Sequence, residues 1–283
     1  MILISNSKID GKKIALKLKS RFLYTDIKKY PDGEKKLSIR GKPAIADVVY
    51  FRFDKRISFD EQLLDLVCLL NKFAAKNKTS LILPYLPYLR SYPLKKNEVD
   101  KLSFIVGQLN KCAKNIFLLY PHNIGEIKRQ LIFKNVILID ADYIIIDYLK
   151  SFGKDIVLVS PDLGFSENVK RFAEKGGFDY VIFNKRRVSP KKIILRPGDD
   201  ENRRKISQNK NKLFIVADDI ISTGKTLSEA GLILRRMGVK RIKYFAVHNT
   251  NKSPLKIKVV SLDSLDGNNK CLSISDGITR LFK

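Results

Sequence analysis

The chain has 283 residues, 44% of them hydrophobic and 10% aromatic, which is enough for a sizeable core and excludes global disorder. Lys and Arg number 55 against 29 Asp and Glu, a net charge of +26, yet the basic residues are scattered along the chain and form no tail or block. No apolar run approaches the roughly 18–20 residues needed to cross a bilayer, and Cys68, Cys112 and Cys271 are too widely spaced for a disulfide framework or a zinc site.

These features describe a cytoplasmic protein of one large domain or two smaller ones. The opening Met-Ile-Leu-Ile-Ser reads as a strand rather than a signal peptide. Richness in Lys, Ile and Asn together reads as the drift of an AT-rich genome, combined with anionic small-molecule substrates. No zinc finger, RNA-binding aromatic signature or basic zipper is present, so a nucleic-acid partner is not expected.

In chain order, the apolar runs predict strands at Ile2–Ser5, Val48–Phe53, Ser80–Pro84, Asn115–Tyr120, Val136–Asp140, Asp155–Ser160, Tyr180–Asn184, Leu213–Ala217, Lys243–Val247 and Ile257–Ser261. Helical patterns fall between them. Ser7–Lys19 has Ile14 and Leu18 four apart, and Phe59–Phe73 places Leu63, Leu64, Val67 and Leu70 on one face. Val99–Cys112 and Thr226–Arg236 read the same way. Arg187–Leu195, with Pro190, and the polar Gly198–Lys212 read as mobile loops or surface hairpins, and Leu255–Lys283 as a last strand and helix.

Near-continuous apolar strands such as Asp-Ile-Val-Leu-Val are buried on both faces, as in a parallel sheet covered by helices. The expected fold is therefore α/β. The same order of strand, turn and helix recurs on either side of residue 140, so two similar domains, 1–140 and 141–283, are expected.

The stretch richest in chemistry is Leu-Phe-Ile-Val-Ala-Asp-Asp-Ile-Ile-Ser-Thr-Gly-Lys-Thr, residues 213–226. At a strand-to-helix turn, backbone N–H groups and the helix N-terminus converge on a point that binds phosphate. Ser222, Thr223 and Thr226 add hydroxyls, and Gly224 lets backbone approach closely. Asp218 and Asp219 would repel phosphate but suit the hydroxyls of a sugar, which donate to carboxylates. Gly-Lys-Thr alone suggests a P-loop, but that loop needs glycine where Asp219 stands.

The string resembles the phosphoribosyl-diphosphate (PRPP) motif of the type I phosphoribosyltransferase fold. Further segments resemble ribose-phosphate pyrophosphokinase, the PRPP synthetase family. Tyr30-Pro31-Asp32-Gly33-Glu34 is similar to its Phe-x-Asp-Gly-Glu element, and Pro84-Tyr85-Leu86-Pro87-Tyr88-Leu89-Arg90 to its Pro-Tyr-x-Pro-Tyr-x-Arg string. Ser160-Pro161-Asp162-Leu163-Gly164 is similar to Ser-Pro-Asp-x-Gly, Lys185-Arg186-Arg187 to Lys-x-Arg, and Tyr120-Pro121-His122 to Asp-Leu-His. The chain departs from the family where Gln-Asp-Arg becomes Ser91-Tyr92-Pro93, where an acid becomes Tyr120, and in the Thr-His-Gly loop, here Val247-His248-Asn249-Thr250.

The resemblance implies two phosphoribosyltransferase-like domains and a reaction between ATP and ribose 5-phosphate that gives PRPP and AMP. It assigns Lys185 to catalysis. It places ribose 5-phosphate on Arg187, Asp218, Asp219, Ser222, Thr223, Gly224, Lys225 and Thr226. ATP falls to Asp32, Gly33, Glu34, Arg90 and Ser91, and Mg²⁺ to His122 and Asp162. It also implies a homo-oligomer whose ATP site is shared between subunits. Alternative readings are a catalytically weakened regulatory relative, or a phosphoribosyltransferase that uses PRPP.

Overall fold

The computed structural model describes residues 1–76, 79–91, 94–122, 135–189, 192–268 and 271–282, with backbone alone at 76, 185–189 and 192–194. The chain forms two units. The first comprises Met1–Asp140, Ser264–Gly267 and the segment from Ser273 onward; the second comprises Ala141–Asp263 and Asn268–Leu272. The division expected from the sequence, 1–140 and 141–283, places the two returning segments with the second unit instead.

The first unit begins with β1 (Ile2–Ser5), α1 (Lys8–Lys17), β2 (Arg21–Lys29), β3 (Lys35–Ile39), β4 (Val48–Tyr50) and α2 (Phe59–Asn71). It continues through β5 (Ser80–Leu83), α3 (Lys101–Cys112), β6 (Asn115–Leu118) and β7 (Val136–Leu138). The second unit holds α4 (Asp142–Lys150), β8 (Ile156–Ser160), α5 (Ser166–Gly176), β9 (Asp179–Ser189), β10 (Lys192–Pro197), α6 (Asp200–Gln208), β11 (Leu213–Ile221), α7 (Lys225–Arg236), β12 (Arg241–Asn249), β13 (Val259–Leu262) and β14 (Cys271–Leu272). Helix α8 (Ser275–Arg280) belongs to the first unit.

Each unit is built on a seven-stranded sheet, and the two orders correspond strand for strand: β3-β2-β1-β4-β5-β6-β7 and β10-β9-β8-β11-β12-β13-β14. In both, the hairpin at one edge is antiparallel and every other pairing is parallel. The two-domain α/β expectation holds. Central strands are sealed on both faces: Leu3, Ile4, Val49, Leu81 and Ile82 in one sheet, and Val157, Val159, Phe214 and Val216 in the other, are almost without exposure. Helix α2 closes one core with Leu63, Leu66, Leu69 and Leu70, and α7 closes the other with Leu227, Ala230 and Leu234. Among the described residues, no helix is long and apolar enough to cross a membrane.

One expectation changes, one resolves to the hairpin of its two alternatives, and one hairpin is new. Gly198–Lys212 is neither loop nor hairpin. It contains helix α6, capped by Asp199, whose Oδ1 accepts the Asn202 N–H at 2.7 Å, and anchored by Ile206, which is buried. Arg187–Leu195 resolves as the β9–β10 hairpin, with Arg187 opposite Ile193; its Pro190 lies outside the described residues. The β2–β3 hairpin was not foreseen. It pairs Lys28 with Lys36 and Lys29 with Lys35, like charges that disfavour pairing when directly opposite.

Candidate functional site

In both sheets the chain leaves the first strand towards one side and later returns on the other. The order therefore reverses between β1 and β4, and between β8 and β11. Open α/β sheets bind ligands at the carboxyl ends of the strands that flank such a switch point. In the second unit those ends carry Asp162 and residues 218–226.

Strand β11 runs further than its apolar pattern, through Ile221. The two acids are thus part of the strand, with Asp218 in register with Ala246 and Ile220 with His248. Both acids are 9% exposed. Asp218 Oδ1 accepts the Asp219 N–H at 2.9 Å, and Asp219 Oδ1 accepts the Ile220 N–H at 2.7 Å. These bonds fix the carboxylates and offset part of the cost of burying charge.

Past Ile221 the chain turns through Ser222 and Thr223 to Gly224, which stands at φ +74° as the residue preceding helix α7. A side chain there would be strained by the left-handed backbone. It would also meet Leu255 Cδ2 at 3.0 Å. The turn is braced from β12: the Thr250 N–H and Oγ1 both donate to Ile221 O, at 2.9 and 3.1 Å, and Asn251 Nδ2 donates to Ser222 O. Sequence reasoning noted the altered 248–250 loop but missed that Thr250, Asn251 and Leu255 support the phosphate-type turn. The signal was contact with a distant loop, which no local motif carries.

At the end of β8, Ser160 Oγ donates to Asp162 O at 2.6 Å and the Gly164 N–H donates to Asp162 Oδ1 at 2.9 Å. This tight turn holds the half-buried Asp162 at the switch point. Strand β9 pairs with β8 from Asp179 to Ile182 and continues past the end of β8 in the hairpin with β10; Lys185 lies there opposite Leu195.

In the first unit the candidates also follow carboxyl ends. The β2–β3 turn holds Asp32, Gly33 and Glu34, all exposed, with Gly33 at φ +95° and Asp32 Oδ1 accepting the Glu34 N–H at 3.0 Å. Arg90 and Ser91 form a short 3-10 turn after β5, and His122 follows β6. Tyr92, Pro93 and Asn123 lie outside the described residues. Tyr88 and Tyr120 adopt positive φ, +70° and +39°, conformations unusual for a bulky side chain. Tyr88 Oη donates to Asp60, and Lys101 Nζ lies 5.4 Å from the ring centre. Burial, then the Asp60 hydrogen bond and charge, push the Tyr88 phenol up to about 12.

The switch point of the first unit is built differently. Asn6 Nδ2 donates to Arg52 O and Asn6 Oδ1 accepts the Arg52 N–H, at 2.8 and 2.9 Å. The Arg52 guanidinium pairs with Asp10 and, at 3.1 Å, with Asp266. An ion-pair cluster thus fills the place where the second unit presents acids and a glycine turn.

The chain is 33% identical to ribose-phosphate pyrophosphokinase of Pyrococcus abyssi over 79% of its length and 75% of the relative's. It is 31% identical to that of Thermococcus kodakarensis, over 81% and 79%. The chain belongs to the ribose-phosphate pyrophosphokinase family. It is an enzyme of that family, and a relative from Methanobrevibacter smithii, 25% identical, matches over 95% of both chains. The phosphoribosyl transferase domain family matches residues 133–272, which include most of the second unit. The fold is shared with phosphoribosylpyrophosphate synthetase from Mycobacterium smegmatis, with a TM-score of 0.78 over 99% of this chain and 96% of that one, at 21% identity.

Proposed function

We propose that the chain is a ribose-phosphate diphosphokinase, which transfers the diphosphoryl group of ATP to the 1-hydroxyl of ribose 5-phosphate. The observation that carries this reading is the second switch point: two fixed, buried carboxylates, then a left-handed glycine at a helix N-terminus. That order separates a sugar-binding part from a phosphate-binding part along nine residues of chain.

Asp218 and Asp219 accept hydrogen bonds from the ribose 2- and 3-hydroxyls. Backbone N–H groups and hydroxyls of Ser222, Thr223, Gly224, Lys225 and Thr226 hold the 5-phosphate, with the positive end of α7 behind them. Arg187 adds a charge-assisted contact to the same substrate. The 1-hydroxyl oxygen attacks the β-phosphorus; its bond to phosphorus forms as the bridge to the α-phosphate breaks, AMP leaves and the hydroxyl proton is released. Lys185 donates to the bridging oxygen as it gains charge, in a reaction driven by positioning and charge neutralisation.

Asp32, Gly33, Glu34, Arg90 and Ser91 hold the nucleotide. The carboxylate of Asp162 suits Mg²⁺, which takes few protein donors and completes its shell with waters and substrate phosphates, and the family resemblance assigns His122 to the same ion. When bound, the ion screens the phosphate charge that would repel the attacking oxygen. The working form is a cytoplasmic homo-oligomer, with the Asp32–Glu34 turn serving a neighbouring subunit's site.

The test is to follow ATP, ribose 5-phosphate and Mg²⁺ by ³¹P NMR with the wild type and Lys185→Ala. Formation of AMP and PRPP, abolished by the substitution, supports the reading. A folded oligomer that binds ribose 5-phosphate but turns over no nucleotide would instead favour a regulatory relative. The substitutions at Ser91–Pro93 and Tyr120 motivate that second reading.

A further inference from the structure

The strand-for-strand match between the units makes each a template for the other. The parallel crossover from β5 to β6 spans residues 84–114 and includes helix α3, which buries Leu102, Ile105, Val106 and Leu109. The corresponding crossover from β12 to β13 spans only residues 250–258 and contains no helix. Such crossovers ordinarily need a dozen or more residues and a helix. Helix α7, which corresponds to α2, therefore lacks the neighbour that α2 has.

A groove of about 740 Å³ lies in that place. Its apolar lining comes from Leu232, Ile242, Ile257 and Val259, and Leu232 is 52% exposed although it faces the groove. Arg235, Lys243, Lys256 and Lys258 also line it, and among the described residues no carboxylate does. Tyr148 contributes an edge but is already packed against Phe152 and Phe245. The Tyr244 hydroxyl lies so close to Gly231 that a β-carbon there would meet it at 2.0 Å.

We propose that this groove docks an amphipathic helix with acidic flanks, supplied by another protein, in the position that α3 fills in the first unit. An apolar stripe on the incoming helix would cover Leu232, Ile257 and Val259, and its acids would meet the four cations. A second copy meeting this groove with its own groove is disfavoured, because the same four cations would face one another. Single-stranded nucleic acid is disfavoured because it requires aromatic faces open for stacking, and the Tyr148 ring is engaged within the unit.

The probe is a fluorescent peptide of about 14 residues, with leucines at i, i+3, i+4, i+7 and i+11 and glutamates beside them. It is compared with a scrambled peptide, a lysine-for-glutamate version and a labelled oligouridylate, using the full chain. The expected result is saturable binding of the acidic amphipathic peptide, about tenfold tighter than either control peptide. Leu232→Glu and the Lys256→Glu/Lys258→Glu double variant should each weaken it about tenfold, with melting temperature and turnover unchanged. Equal binding of the scrambled peptide, no binding, or insensitivity to either variant would overturn the proposal. Displacement of the peptide by oligouridylate at lower concentration would assign the groove to nucleic acid instead, and self-association lost in Leu232→Glu would assign it to a second copy.

Discussion

Gly224→Ala isolates the contribution of the phosphate-type turn. Forcing an L-residue into the left-handed region costs about 1–2 kcal/mol. The new methyl would also press on Leu255 Cδ2 at 3.0 Å, the far end of a side chain that can shift. Gly177 is a matched control: it has φ +72°, against +74° at Gly224, ends helix α5, and has nothing within 4 Å of a β-carbon. Both alanine variants should lower Tm by a few degrees. They should part on substrate binding. If the Gly224→Ala turn relaxes and ribose 5-phosphate must restore it, 1–2 kcal/mol appears as roughly a 5- to 30-fold weaker affinity. Calorimetric titration of ribose 5-phosphate reads this without turnover. An unchanged affinity in Gly224→Ala, or an equal loss in Gly177→Ala, would refute the argument that this backbone conformation serves the ligand.

Other outcomes follow from the same geometry. Asp218→Asn and Asp219→Asn keep an oxygen for the backbone N–H contacts but remove the charge, so each should raise KM for ribose 5-phosphate roughly 10- to 150-fold; a value within twofold of wild type would count against a ribose role. The Tyr88 phenol is held protonated up to about 12 against an ordinary value of 10.0. Its contribution to stability is therefore complete below pH 10 and lost as pH rises towards 12. Urea midpoints of wild type should fall more steeply than those of Tyr88→Phe in that window, and parallel curves would contradict it. Mixing inactive Lys185→Ala chains with inactive Glu34→Ala chains should regain activity if the nucleotide site is shared between subunits, and a mixture that stays inactive would argue against sharing.

The parallel core was legible because strands buried on both faces must be apolar throughout, as in Ile156–Ser160 and Ser80–Leu83. The antiparallel hairpins were harder to read for the opposite reason. Strand β2 ends in Asp-Ile-Lys-Lys and β3 begins with Lys-Lys, and their outer parts are exposed, so no apolar run marks them. Helix α6 buries only Ile206, and its position rests on Asn202, whose Oδ1 accepts the Ile182 N–H at 2.8 Å, a partner twenty residues away. In the second unit's site, residues 218–226 could be read from local order because strand, turn and helix follow one another directly. The Thr250–Leu255 support could not, since it depends on β12 running parallel to β11.

The first unit is discontinuous in sequence, and that alters the order in which the protein is completed during synthesis. Domains of a nascent chain generally finish folding from the N-terminus onward. Here the second unit has all its residues once Leu272 has been translated, while the first still lacks the segment from Ser273. That segment brings Asp276 to Lys17 and Phe282 to Phe117, whose ring centres lie 5.5 Å apart. Asp266, the partner of Arg52, also arrives only after most of the second unit has been made. Early termination near residue 272 would therefore leave the adjacent, later-made unit intact and damage the distant one that left the ribosome first.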